Sequence, residues 1–179
     1  MPSIVLASSS PYRRQLLEKL GVYFSHASPD IDESPRPNEA PQALTERLSN
    51  AKAEALSTQH PNSLIIGSDQ VAELNGTLLG KPGTRENAIA QLQLCSAQTV
   101  SFHTGICLLN SATGHYHYDC DTYTVIFREL TDTQIAYYVD REQPFDCAGS
   151  FKSEGLGISL FSAIRGDDPN SLIGLPLIK

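Results

Sequence analysis

The run Ser8-Ser9-Ser10-Pro11-Tyr12-Arg13-Arg14 gathers three serine hydroxyls and two guanidinium groups in one short segment. The apolar stretch Ile4-Val5-Leu6-Ala7 precedes it, and Ser10-Pro11 reads as a cap with proline at the first helical position. A helix start of this kind carries partial positive charge and unsatisfied N–H donors, which together suit a phosphate. Arg13 and Arg14 in the first turn oppose that dipole unless an anion is bound, and arginine grips phosphate oxygens bidentately. A plain serine cap with solvated arginines explains the same residues equally well.

Other ionisable residues need placing beside it. Asp69 follows the apolar run Leu64-Ile65-Ile66-Gly67, at the strand end where open α/β sheets put ligand contacts. A carboxylate there binds a divalent metal or takes a proton from water; a local turn is the plainer role. Lys81, between Gly80 and Pro82, either neutralises a phosphoryl group or stands exposed in a turn. Lys52 falls near the edge of a helical apolar stripe, where it either snorkels over the core or points into a cleft. Glu33, in an acidic loop, is a candidate second metal ligand, against the commoner solvated glutamate.

Several chemistries are excluded. There is no G-x-S-x-G elbow, no H-E-x-x-H, and no Walker P-loop, and the five histidines do not cluster. The four cysteines lie far apart without a C-x-x-C pair, as expected of reduced, buried thiols in a cytoplasmic protein. Met1-Pro2-Ser3 runs directly into a strand, so no signal peptide is expected, and no apolar run is long enough for a bilayer. A formal net charge of −7 argues against nucleic-acid or anionic-membrane partners. Any polyanion must bind where the thirteen lysines and arginines converge.

Alternating strands and helices must position these groups. Strands are expected at 4–7 and 22–27, with a helix from Pro11 stopped by Gly21. Residues 28–41 carry four prolines and four carboxylates and read as a loop. A long helix over about 42–59 follows, with Leu44, Leu48, Ala51 and Ala55 on one face. Asn75-Gly76 signals a type I′ hairpin between 71–74 and 77–79. Thr84 caps a helix to about 97, long strands occupy 99–109 and 115–128, and Thr131-x-x-Gln134 is a capping box. The segment from Pro144 onward reads as loops with short elements, giving one α/β unit over the 179 residues.

In combination, Leu6–Arg14, Asp32-Glu33, Ala51-Lys52-Ala53, Gly67-Ser68-Asp69, Gly80-Lys81-Pro82 and Ala148-Gly149-Ser150 resemble the Maf family of nucleotide pyrophosphatases. The resemblance covers essentially the whole chain as a single domain. It implies an α/β, ITPase-like mixed sheet with flanking helices and two lobes around a central cleft, often in a homodimer. It also implies a nucleoside triphosphate substrate, cleaved between the α and β phosphates with a divalent cation such as Mg²⁺ or Mn²⁺. By the same resemblance Asp69 is the general base, Ser8, Arg13, Lys52 and Lys81 hold the phosphates, and Glu33 and Asp69 bind metal. Family members usually continue beyond Leu175–Lys179 into a terminal helix, so the expectation is that this helix is absent here.

Three positions bear on the base. The dTTP- and UTP-preferring branch usually has Arg, Thr and Gln where this chain has Tyr12, Gln70 and Glu154. Ser68-Asp69-Gln70 and Ala148–Gly155 resemble instead the 7-methyl-GTP branch. A carboxylate such as Glu154 accepts both N–H donors of guanine's pairing edge, and the cationic methylated ring gains from stacking on Tyr12. A packed Tyr12 and a solvated Glu154 are the plainer alternative. Competing functions are a pyrophosphatase for dTTP, UTP or another non-standard nucleotide, and a non-catalytic nucleotide sensor acting on cell division.

Overall fold

The computed structural model describes residues 2–179. In chain order the elements are β1 (Ser3–Ala7), α1 (Pro11–Glu18), β2 (Ser25–Ala27), α2 (Pro41–Ala55), β3 (Ser63–Leu74), β4 (Thr77–Leu79), α3 (Arg85–Cys95), β5 (Thr99–Asn110), β6 (Tyr116–Phe127), α4 (Asp132–Glu142), β7 (Phe161–Arg165) and α5 (Pro169–Ile173). The strands are ordered β2-β1-β3-β5-β6-β7, with β4 paired to β3. Pairing is mixed: β1 runs parallel to β2 and β3, whereas β3–β4 and β6–β7 are antiparallel.

Contacts divide the chain into two compact units. The first comprises the residues through Gln70, His103–Asp121 and Asp168–Lys179; the second comprises Val71–Phe102 and Thr122–Asp167.

Strand periodicity organises the first unit. Val5, Ala7, Ile65, Cys107 and Leu109 pack with Ala53 and Leu56 of the α2 region. Their strand neighbours Leu6 and Ile66 instead meet Leu16, Leu17 and Leu175. Alternation along β1 and β3 thus feeds two apolar clusters, as period-two geometry requires. In the second unit, Phe151 makes edge-to-face contacts with Phe102, Phe127 and Phe161 at centroid separations of 4.8–5.8 Å. Thr131 and Gln134 form the expected capping box on α4, and Thr84 caps α3.

Three expectations are corrected. β3 does not stop at Gly67 but continues to Leu74, so Asp69 sits within a strand. The reason is its neighbours: β1 ends its parallel pairing at Ala7 opposite Gly67, while β4 takes over pairing from Ala72. α2 ends at Ala55, because the Leu56 and Ser57 N–H groups turn to carbonyls three residues back and Leu56 drops into the core. β2 is confined to 25–27, and Val22 and Tyr23 are exposed. The late segment holds short elements, as expected: the strand β7 and the helix α5, which Asp168 caps and Pro169 begins.

One close approach sets the geometry of α2. A Cβ on Gly67 would run into the Ser49 carbonyl oxygen and lie 2.8 Å from the Ala53 nitrogen. A Cβ on Gly105 would lie 2.7 Å from Ser49 Oγ, 2.8 Å from Thr45 Cγ2 and 2.9 Å from Tyr118 Cε2. Backbone stands in the way at Gly67, so the helix must move if a side chain is added there. Gly67→Ala is expected to destabilise the protein by about 3 kcal/mol, lowering the melting temperature by roughly 6–12 °C in a thermal melt. An unchanged melting temperature overturns the packing account.

Candidate active site

The α2–β3 contact delivers a buried cation to a buried carboxylate. Lys52 and Asp69 are 5% and 7% exposed, and Lys52 Nζ lies 2.6 Å from Asp69 Oδ1. The same ammonium donates to Glu33 Oε1 at 2.9 Å. Lysine is rarely buried unless paired, so the helix does not use Lys52 to snorkel; it aims the charge inward. The Asp69 N–H donates to Ser49 Oγ at 3.0 Å, one turn before Lys52 on the same helix. Thus α2 holds both the main chain and the carboxylate of Asp69.

Arg13 joins the group from α1. Its Nε donates to the Gly174 carbonyl at 2.7 Å, which fixes the guanidinium plane and presents its terminal nitrogens as further donors. Burial pulls its pKa below the ordinary value, against the upward pull of the Asp69 and Glu33 charges. Ser8 is buried beside the start of α1, where its Oγ accepts the Ser10 N–H at 3.1 Å. Ser10 Oγ accepts the Arg13 N–H at 3.4 Å, the expected cap. Tyr12, half-buried, occupies the second position of α1.

Gln70 has a different immediate neighbourhood. Its amide nitrogen donates to Thr104 Oγ1 at 3.0 Å and to the Ser171 and Leu172 carbonyls at 2.7 and 3.2 Å. Ser68 Oγ reaches the Gly174 carbonyl at 3.1 Å. Ser68, Gln70 and Arg13 therefore all fasten to the α5 region. Buried Asp168 secures that region in turn, accepting from the Asn170 N–H at 2.9 Å and the Ile178 N–H at 2.6 Å.

The structure thus brings Arg13, Glu33, Lys52 and Asp69 together in one unit, with Ser8, Tyr12 and Gln70 in the same unit. Lys81 and Glu154 belong to the other. Lys81 is exposed in the link from β4 to α3. Glu154 is exposed in the turn after Phe151, whose start is tied down by a Lys152 N–H to Tyr138 Oη bond of 2.9 Å.

Sequence reasoning missed Ser49, Arg47 and Asp168. Arg47 donates to both Glu39 oxygens at 2.6 and 2.8 Å and to the Ser34 carbonyl at 3.0 Å, closing the acidic loop onto α2. The Asp168-Pro169 pair was legible as a cap, but nothing in spacing alone reveals the other two. Among the described residues no three His, Cys, Asp or Glu side chains cluster as a metal site. No helix among them is long and apolar enough to cross a membrane. Cys95 and Cys107 are buried thiols, pushed up to about 12 and about 11 by burial, whereas Cys120 and Cys147 are only half-buried, a departure from the expected four.

Residues 3–179 match the sequence profile of the family described as Maf-like protein. A 7-methyl-GTP pyrophosphatase of Alcanivorax borkumensis is 61% identical over 99% of this chain and 90% of its own length. Proteins of the same name from Pseudomonas aeruginosa and Nitrosococcus oceani are 55% and 53% identical, over 100% and 99% of this chain and 93% and 89% of theirs. A solved HAM1 protein from Coxiella burnetii superposes with a TM-score of 0.49 at 18% identity, covering 71% of this chain and 73% of that one.

Two measurements probe the site's electrostatics. Replacing Lys52 by Met strands the Asp69 carboxylate, and a broken buried pair costs about 3–5 kcal/mol; denaturant unfolding is expected to show that loss, and Lys52→Met with Asp69→Leu to recover much of it. Glu39 is held from its ordinary 4.5 down to about 2, first by the Arg47 side chain and then by the Arg36 N–H. Because the folded value is depressed, its contribution is complete above the unfolded value and is lost as pH falls through about 2. A carboxyl-carbon NMR titration should place the Glu39 midpoint near 2 and return it toward 4.5 in Arg47→Ala.

Proposed function

The chain belongs to the Maf-like protein family, and on that premise we propose that it is a nucleoside triphosphate pyrophosphatase acting on 7-methyl-GTP. The observation that carries the reading is Lys52, a buried ammonium shared by Asp69 and Glu33, with Arg13 close enough to feel both carboxylates. The names and 53–61% identity of the relatives support the substrate class.

In the proposed reaction, Asp69 accepts a proton from water as the water oxygen bonds to the α-phosphorus. The bond from that phosphorus to the α–β bridging oxygen breaks, and pyrophosphate leaves with the oxygen. Phosphoryl transfer of this kind asks for positioning and charge stabilisation more than covalent chemistry. Arg13 and Lys52 supply fixed positive charge, and Ser8 with the α1 start supplies donors, for the phosphates. Lys81 is assigned the same role from the family resemblance.

A divalent cation fits the donor set. Asp69 and Glu33 are two hard oxygen donors meeting at one nitrogen, and Mg²⁺ is commonly held by one or two carboxylates plus substrate phosphates. Bound there, the metal would neutralise phosphate charge.

Glu154 is proposed to accept guanine's two N–H donors, with Tyr12 as the stacking face for the cationic ring. The bonds from Gln70 to Thr104 and the α5 carbonyls favour a supporting role for that residue, holding the frame on which Arg13 is set.

Pyrophosphate release from 7-methyl-GTP, GTP, dTTP and UTP, with Mg²⁺ present, tests the proposal. Turnover is expected to be highest for 7-methyl-GTP, and Asp69→Asn to lower kcat by about 100-fold or more. Glu154→Gln is expected to shrink the preference for 7-methyl-GTP over GTP. Faster cleavage of dTTP moves the chain to the other branch, and full activity in Asp69→Asn removes the general base.

A further inference from the structure

The acidic loop is fastened to α2 at two points of different character. One is the Lys52–Glu33 bond, in which the Glu33 side chain remains 54% exposed. Under the proposed function Lys52 also meets the substrate's phosphates, so its hold on Glu33 is shared or surrendered when substrate arrives. The other is the Arg47 fork, whose partners Glu39 and Ser34 have no part in that competition.

The fork is the stronger fixture by geometry. Arg47 and Glu39 side chains are 21% and 9% exposed, and the two parallel bonds of 2.6 and 2.8 Å use the bidentate match that lysine cannot make. The third bond, 3.0 Å to the Ser34 carbonyl, grips the residue next to Glu33. Inside the loop, Asp32 Oδ1 accepts the Ser34 N–H at 2.9 Å and Glu39 Oε2 accepts the Arg36 N–H at 2.9 Å. The Glu39 N–H returns to the Arg36 carbonyl at 3.1 Å. Each end of the 34–39 segment is therefore braced locally and pinned by one guanidinium. Arg47 and Lys52 rise from the same helix, so the pin and the buried ammonium share one rigid support.

We propose that Arg47 is a positioning residue, its grip on Ser34 and Glu39 holding the Glu33 carboxylate within reach of Asp69 when Lys52 turns to the substrate phosphates. The inference rests on the pyrophosphatase reading for its purpose, but the grip itself is independent of turnover. Only the side chain of Glu33 then has to move between ammonium and cation. The backbone that carries it stays fixed.

The test compares wild type with Arg47→Ala, Arg47→Lys and a loop-charge control, Arg36→Ala. Amide hydrogen exchange across residues 32–39 reports the grip. Mn²⁺ affinity in the presence of a non-cleavable α,β-methylene nucleotide, followed by water-proton relaxation, reports Glu33 without turnover. Steady-state kinetics then separate kcat from KM. Arg47→Ala is expected to speed loop exchange, weaken Mn²⁺ binding by about 10-fold and lower kcat similarly, with the nucleotide KM changed less than about threefold. Arg47→Lys should fall between, Arg36→Ala should match wild type, and the remaining amides should exchange as in wild type, which excludes general unfolding.

Unchanged loop exchange in Arg47→Ala overturns the grip. Faster exchange with Mn²⁺ affinity and kcat within about twofold of wild type overturns the positioning role. A wild-type protein that binds Mn²⁺ with the analogue yet releases no pyrophosphate from any nucleotide sinks the pyrophosphatase reading instead, and the Mn²⁺ comparison still decides for or against Arg47.

Discussion

The chemistry of this protein depends on how near one helix can come to one strand. Without a side chain at Gly67, the backbone of α2 at Ser49 and Ala53 lies against β3, and Gly105 allows the same approach on β5. That spacing lets Lys52 reach Asp69 at 2.6 Å and Ser49 Oγ reach the Asp69 N–H at 3.0 Å. A helix standing off by a methyl group would leave a lysine and an aspartate buried without contact. Each would carry a desolvation cost that only their pairing offsets. The small residues are therefore an electrostatic requirement as well as a packing one.

A second support acts from the chain's late segment. Arg13, Ser68 and Gln70 all donate to carbonyl oxygens between Ser171 and Gly174. Carbonyls at the end of a helix lack intrahelical partners and carry partial negative charge, so they attract such donors. Arg13 is consequently oriented by a fixed oxygen rather than by its own flexible stem. Its guanidinium is preorganised at a point where Asp69 and Glu33 already favour positive charge. A five-residue helix achieves this because Asp168 anchors both its start and the backbone at Ile178.

Much of this was legible in the residues, for identifiable reasons. The continuous apolar runs that open β1 and β3, the Asn75-Gly76 turn and the caps at Ser10, Thr84 and Thr131 are local signals, and each element formed where those signals lay. Lys52 and Asp69 were readable as candidates, but their pairing was not, since a contact across 17 positions is set by tertiary packing. The end of β3 was misplaced because Ser68-Asp69-Gln70 is polar. Strand continuation there depends on pairing partners that sequence periodicity does not reveal. Arg47 carried no local signal at all, because an arginine on a helix looks the same whether it is solvated or clamped. Gln70 was singled out by resemblance alone, and the bonds of its amide nitrogen to Thr104 Oγ1 and the Ser171 carbonyl, across 34 and 101 positions, lie beyond any local pattern.

The charge arrangement also bears on how a −7 protein admits a polyanion. Cations left bare would be costly to bury, and Lys52 is instead neutralised by Asp69 and Glu33 within the fold. A ligand phosphate must therefore compete with carboxylates already in place. On the proposed function, a triphosphate meets that demand with several charges presented at once, whereas a monophosphate product brings fewer. The partly exposed Glu33 is the partner that yields most readily, because solvent can take up its charge as it leaves the ammonium. Asp69, buried and tied through its backbone to Ser49, has no such freedom and keeps its place on β3. The unequal burial of two carboxylates on one lysine thus separates a fixed group, which on the proposed function orients water, from a movable one, which passes from the ammonium to a bound cation.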